Sequence, residues 1–219
     1  MSPPDASGPL SAGAARRRYE LALALAALAA ALLANSLAGD FIKTFGARPP
    51  ACPDLLLDRL PHWDTRPLFT WGFAVFLVWA GAATLLWERR RAPYIIWGYA
   101  LLIAVRSFFI ILTPLGRPEG ALELSGDPLF DHVGRYLTTQ QDFFFSSHTA
   151  LPFLGFLVFR GRWVRLSFLG LSVLLAAAVL LARLHYSIDV FSAYLITYAV
   201  HLAEIRWVQR HYRSWLGFT

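Results

Sequence analysis

Charge and cysteine are both scarce in this sequence. Asp, Glu, Lys and Arg make up only 16% of the residues, against roughly 25% in a soluble domain, which excludes an ordinary water-facing surface. A single cysteine, Cys52, excludes an intramolecular disulfide and supplies no metal framework; it is read as structural. No internal repeat is evident, and no histidine cluster has the spacing of a zinc site, so neither metal nor cofactor is expected. What is abundant is apolar. Hydrophobic residues are 57% of the chain, with eight Trp and seventeen Phe, and mean hydropathy is +0.48. The net charge of +6 would suit nucleic acid only if gathered on one face or helix. Here the arginines stand in short clusters between apolar runs, the membrane pattern. Nucleic acid is therefore not expected as a partner.

Residues 1 to 18, rich in Pro, Ser, Gly and Ala and ending in Arg16-Arg17-Arg18, read as a disordered cytoplasmic tail. Six apolar spans follow: Leu21 to Ala38, Leu68 to Trp87, Tyr94 to Thr113, Phe143 to Phe159, Leu166 to Ala182 and Ile188 to Ile205. Most approach the roughly 20 residues a transmembrane helix needs. The first also has the make-up of a signal peptide but is read as a span. The expected fold class is all-α, a six-transmembrane helix bundle, with residues 19–207 as one catalytic domain and 208–219 as a second cytoplasmic tail. Twelve arginines (16–18, 89–91, 160, 162, 165, 206, 210, 213) lie in the tails and short turns; Lys43, Arg48, Arg59, Arg66, Arg117 and Arg135 lie in the two long loops. That bias puts both termini in the cytoplasm. Trp63, Trp71, Trp87, Trp97, Trp163, Trp207 and Trp215 fall near span ends, as in an interfacial aromatic belt.

Ionisable groups at membrane depth are costly and usually functional; Arg106, His148, Arg183, His185 and Asp189 qualify. His148 opens the fourth span and His185 precedes the sixth, so both fall in the outer leaflet. Asp189 stands four residues after His185, on the same helix face. A carboxylate on one ring nitrogen fixes the tautomer and leaves the other nitrogen to attack or take a proton. One histidine alone would be a hydrogen-bonded packing residue; two, with a spaced carboxylate at one depth, favour catalysis. Arg183 and Arg106 are candidate phosphate donors, since guanidinium binds phosphate bidentately. Arg183 reads equally as snorkelling to the interface, and Arg106 as paired with an acid such as Asp142. Ser146 and Ser147 can donate to phosphate or satisfy backbone at a helix start. Asp131 and His132 form a second acid-base candidate in a solvated loop. His62, His201 and His211 read as interface or tail residues.

Two segments carry a resemblance. Asp142-Phe-Phe-Phe-Ser-Ser-His-Thr149 resembles the Asp-x-x-x-Ser-Gly-His-Thr segment of sphingomyelin synthases, and Ala182-Arg-Leu-His-Tyr-Ser-Ile-Asp-Val190 resembles their Ala-x-x-His-Tyr-Thr-x-Asp-Val segment. Pro49-Pro-Ala-Cys-Pro-Asp54, running on to Leu60-Pro61, and Val105-Arg-Ser, leading to Leu112-Thr113-Pro-Leu115, look like two weaker segments of the same family. The family is related to the lipid phosphate phosphatases. The spacing of Lys43 to Arg48-Pro49, and of Arg183 to His185, departs from the phosphatase motifs and favours the synthase branch. Ser147 replaces the family's Gly, which bears on the substrate.

The resemblance implies an enzyme that transfers a phospho-head-group from a membrane phospholipid to ceramide or diacylglycerol, at the outer, periplasmic or lumenal face. In it, His185 backed by Asp189 is the nucleophile and His148 the acid and base. Asp142, Ser146, Ser147, Arg106, Arg183 and Tyr186 are assigned to substrate. A lipid phosphate phosphatase or phospholipase C-type hydrolase is the nearest alternative reading. A non-catalytic lipid-binding membrane protein is the alternative from another class.

Overall fold

Backbone polar groups have no water to bond in hydrocarbon, and a helix satisfies them within one segment. The computed structural model, which describes residues 9–45, 50–124 and 144–211, contains six α-helices and no strand among those residues. They are α1 (Pro9–Phe45), α2 (Phe73–Leu86), α3 (Ala92–Leu112), α4 (Ser147–Val158), α5 (Arg162–Leu181) and α6 (Ser187–His211). A π-turn, Leu68–Gly72, leads into α2. Five of these helical units are long and apolar enough to cross a membrane, which makes the chain a multi-pass membrane protein.

The fourth expected span is shorter than its sequence promised. In place of Phe143 to Phe159, α4 has 12 residues, about 18 Å of helix against roughly 30 Å of hydrocarbon. Phe145, at φ 21°, turns the chain just before it, and Phe159 leaves it extended. Such a helix is tolerated because protein rather than lipid encloses it: it packs on α5, α6 and α3, and Ala150, Leu154 and Val158 are buried. Gly155 is what lets α5 come so close, since a Cβ there would lie 2.7 Å from the Phe168 ring. Pro152, in the middle of α4, has no N–H to give the carbonyl four residues back, which is that of His148.

The first helix differs in the other direction. Pro9–Arg18, expected as part of a disordered tail, is the start of α1, where Arg16 Nε donates to Glu20 Oε1 at 3.0 Å. Ala24, Ala31 and Ala38 are buried at heptad spacing, a seam of small side chains that brings α1 against α3.

Alternate helices run in opposite directions, so the bundle has two distinct ends. At one end Arg91 Nη1 donates to Glu88 Oε2 (3.1 Å) and to the Val158 carbonyl (3.0 Å), while Arg160 N–H donates to Glu88 Oε1 at 2.9 Å. Trp97 and Trp207 stack there with centroids 4.9 Å apart. At the other end, loop backbone covers the close of α5: Trp63 N–H donates to the Leu181 carbonyl (3.0 Å), Leu122 N–H to that of Ala182 (3.2 Å), and Thr65 Oγ1 to that of Ala178 (2.6 Å). This second end carries His148 and His185.

Candidate active site

The two histidine segments meet through their backbones. Ser146 N–H, at the N-cap of α4, donates to the Asp189 carbonyl in the first turn of α6 at 3.2 Å. His148 and His185 then lie near enough for the charge of one to act on the other, and Arg106 acts on His148 as well.

His185 and Asp189 are brought together, though not on one helix face as expected: α6 begins at Ser187, so His185 lies in the turn before it and Asp189 in its first turn. His185 Nδ1 lies 3.4 Å from Asp189 Oδ2, and the same oxygen accepts Tyr186 N–H at 2.9 Å. Asp189 is fully buried and its Oδ1 has no hydrogen-bond partner. With Nδ1–H given to the carboxylate, the lone pair of His185 resides on Nε2. His148 is held differently, by rings rather than by charge. Phe69 stacks on it with centroids 3.9 Å apart and Phe73 lies at 4.3 Å; Phe69 comes from the π-turn before α2, a local irregularity often found at functional sites. His148 is 2% exposed, and its Nδ1 has no hydrogen-bond partner.

Ser146 does not cap α4 with its side chain. Its hydroxyl is buried and without a partner, as is that of Thr149. The start of α4 therefore combines backbone N–H groups, the positive end of a helix dipole and unused hydroxyl groups, a setting that suits an anion. The start of α6 is already occupied. Asp54 Oδ2 accepts Ser187 N–H at 2.6 Å and Asp54 Oδ1 accepts Ser187 Oγ–H at 2.9 Å. Burial pushes the Asp54 carboxyl up, but the bonds from Leu57, Ser187 and Leu56 outweigh it and hold the group below its ordinary value.

The remaining expected residues separate. Arg106, buried in α3, donates from Nε to the Phe145 carbonyl (3.1 Å) and from Nη1 to Asn35 Oδ1 of α1 (2.9 Å), so it braces the turn that leads into Ser146. Ser147 faces away from the α6 side, into a cavity between α1, α2 and α3. Arg183 points to the 114–124 loop, donating from Nη1 to the Glu119 carbonyl at 3.2 Å. Its backbone explains its place: Arg183 N–H bonds the Leu180 carbonyl (3.0 Å), Leu184 N–H bonds that of Val179 (2.8 Å), and Arg183 has φ 55°. That is a Schellman helix stop, a position usually given to glycine. The Tyr186 hydroxyl joins two loops, accepting from Cys52 N–H and donating to the Gly116 carbonyl, both at 3.0 Å. Asp142, Asp131, His132, Arg48 and Arg135 lie outside the described residues.

Several participants escaped the sequence reading. Asn35 is a polar residue inside an Ala/Leu run, and its cost in lipid was the available signal. Phe69 and Phe73 gave none, being two phenylalanines among seventeen. His201, read as an interface residue, is buried beside Glu204, with Nδ1 3.6 Å from Oε2.

No family model, curated protein or solved structure matches this chain.

Proposed function

We propose that this protein is a membrane phosphotransferase of the sphingomyelin synthase type, moving a phospho-head-group from a glycerophospholipid to a lipid acceptor such as ceramide. The observation that carries the reading is the Ser146–Asp189 backbone bond, because it joins the two segments that resemble that family at one end of the bundle. Its excess of arginine at the opposite end supports cytoplasmic termini and a site on the outer or lumenal side.

In this reading Nε2 of His185 attacks phosphorus, forming an N–P bond as the P–O bond to diacylglycerol breaks. Protonated His148 gives its proton to the departing oxygen. An acceptor hydroxyl then loses its proton to His148 and attacks phosphorus, and the N–P bond breaks. One imidazole thus serves as acid and then base. Asp189 stabilises His185 as charge develops on the ring. Ser146 Oγ and the first N–H groups of α4 face the phosphoryl oxygens. Water in the acceptor's place would make the same site a phospholipase C; the burial of both imidazoles favours a lipid acceptor.

The test is head-group transfer between defined lipids in vesicles containing purified protein. Wild type is expected to release diacylglycerol and to form the head-group-bearing acceptor. His148→Ala and His185→Ala should each lower transfer by about 10²–10⁴-fold, with acid-labile phosphate trapped on residue 185 of the wild type only. Diacylglycerol release unchanged by ceramide would mark a hydrolase. Turnover that survives both substitutions would take the histidines out of the chemistry, and no turnover by the wild type would leave a non-catalytic lipid-binding protein.

A further inference from the structure

One cavity of about 350 Å³ opens beside the site, lined by α1, α2, α3 and α4. Its volume falls at the lower end of the range for small-ligand pockets. Asn35, Arg106 and Ser147 gather at one end, and Tyr99, about two turns along α3 from Arg106, is the one other polar residue of the lining. The rest is apolar, running to Leu28 on α1, Ala80 on α2 and Ile96 on α3. Those positions lie seven to ten residues along their helices from Asn35, Phe73 and Arg106, so the cavity extends about 10–15 Å along the bundle axis. Its polar end adjoins the histidines. Phe73 lines the cavity and also touches the His148 ring, and Ser147 precedes His148 in α4.

We infer that this cavity holds one hydrocarbon chain of the lipid whose head group is transferred, with the Asn35–Arg106 pair at the chain's carbonyl end. A narrow, largely apolar slot parallel to the helices, with an amide, a guanidinium and a hydroxyl where it meets a phosphate-ready site, matches a chain tethered to a head group. A rounded apolar ligand would leave the three polar residues unused. Asn35 and Arg106 are bonded to each other at 2.9 Å, so they form a fixed rim that meets the ester or amide linkage. The inference rests on the lipid reading above and names where that lipid lies.

The experiment is photo-crosslinking with phosphatidylcholine, phosphatidylethanolamine or ceramide carrying a diazirine in one acyl chain, incorporated in vesicles with wild-type protein, followed by mapping of labelled residues. Labelling is expected at Leu28, Ala80, Ile96 and Ile103, in excess of Leu33, Leu37 and Val78, which face outward and report surrounding lipid. Ala80→Trp, and as a milder filling Leu32→Phe, should cut the cavity labels by about fivefold or more relative to the outward ones. Labelling that is even over both sets in wild type would overturn the inference, whether or not either variant folds. Label from the glycerophospholipids supports the inference, and label from ceramide alone would overturn it by giving the slot to the acceptor. His185→Ala should keep the label while losing transfer. Transfer without cavity label removes the slot but not the phosphotransferase; cavity label without any transfer does the reverse.

Discussion

Two histidine–carboxylate pairs belong to the α6 segment: one straddles its start, with His185 two residues before the helix, and the other, His201 and Glu204, lies within it. His185 lies 3.4 Å from Asp189, and His201 lies 3.6 Å from Glu204. Both carboxylates are buried. Their surroundings differ. The Asp189 backbone carbonyl accepts from Ser146 at the start of α4, a segment that holds a second histidine and a buried hydroxyl with no partner. Glu204 lies against Gly98 of α3, where a Cβ would come within 2.8 Å of Oε1, and neither of its oxygens has a hydrogen-bond partner. Tyr94, Tyr99 and Arg91 feel its charge, but among the described residues no second imidazole does. A histidine beside a carboxylate therefore arises both within a helix and across a helix start, and does not by itself mark a site. Convergence of a second histidine and a helix start makes one pair a candidate site.

The sharpest way to break this comparison is to neutralise each acid in turn. Asp189→Asn keeps the shape but no longer enforces the His185 tautomer, and transfer should fall by about 10²–10⁴-fold, read as initial rates at saturating lipid. Glu204→Gln should leave the rate near wild type and raise stability by about 1 kcal/mol, because it removes charge from buried oxygens without partners; thermal unfolding in detergent measures this. Equal losses of activity from both substitutions would erase the distinction.

Smaller effects sharpen the border of the site. Arg183→Gly separates a helix stop from a phosphate ligand. If the residue serves the Schellman turn, activity is kept and stability changes by no more than about 1 kcal/mol, whereas a rise in KM would return it to the substrate. The least effect is acidic. Asp54 has its carboxyl below the ordinary value, so its cap on α6 contributes stability that is present above about pH 4 and is lost as pH falls through the lowered value. Asp54→Asn should flatten the dependence of unfolding temperature on pH below that point.

The sequence made the solvent and the local spacing legible. Low charge, long apolar runs and clustered arginine identified a membrane bundle, and most of its helices stand where those runs predicted. His185 and Asp189 were readable as partners from their nearness along the chain, but the reason was not: His185 precedes α6, and the turn before Ser187 brings its ring to the carboxylate. The bonds of Arg183 and Tyr186 were not legible, because composition gives no direction to a side chain; a helix stop aims one at Glu119 and a pair of loops takes the hydroxyl of the other. The length of α4 was hidden for a related reason. Its apolar run matches a span, yet burial by neighbouring helices rather than lipid thickness sets where it ends.

By itself, then, the sequence determined that this chain partitions into lipid and that one imidazole has its own acid, since both depend on neighbours along the chain. Tertiary packing alone decided that Ser146 would meet Asp189, that Phe69 and Phe73 would clasp His148, and that Arg106 would reach Asn35. Those contacts join residues from separate helices, and helix-to-helix register is fixed by how side chains fill the space between them, which no local pattern encodes.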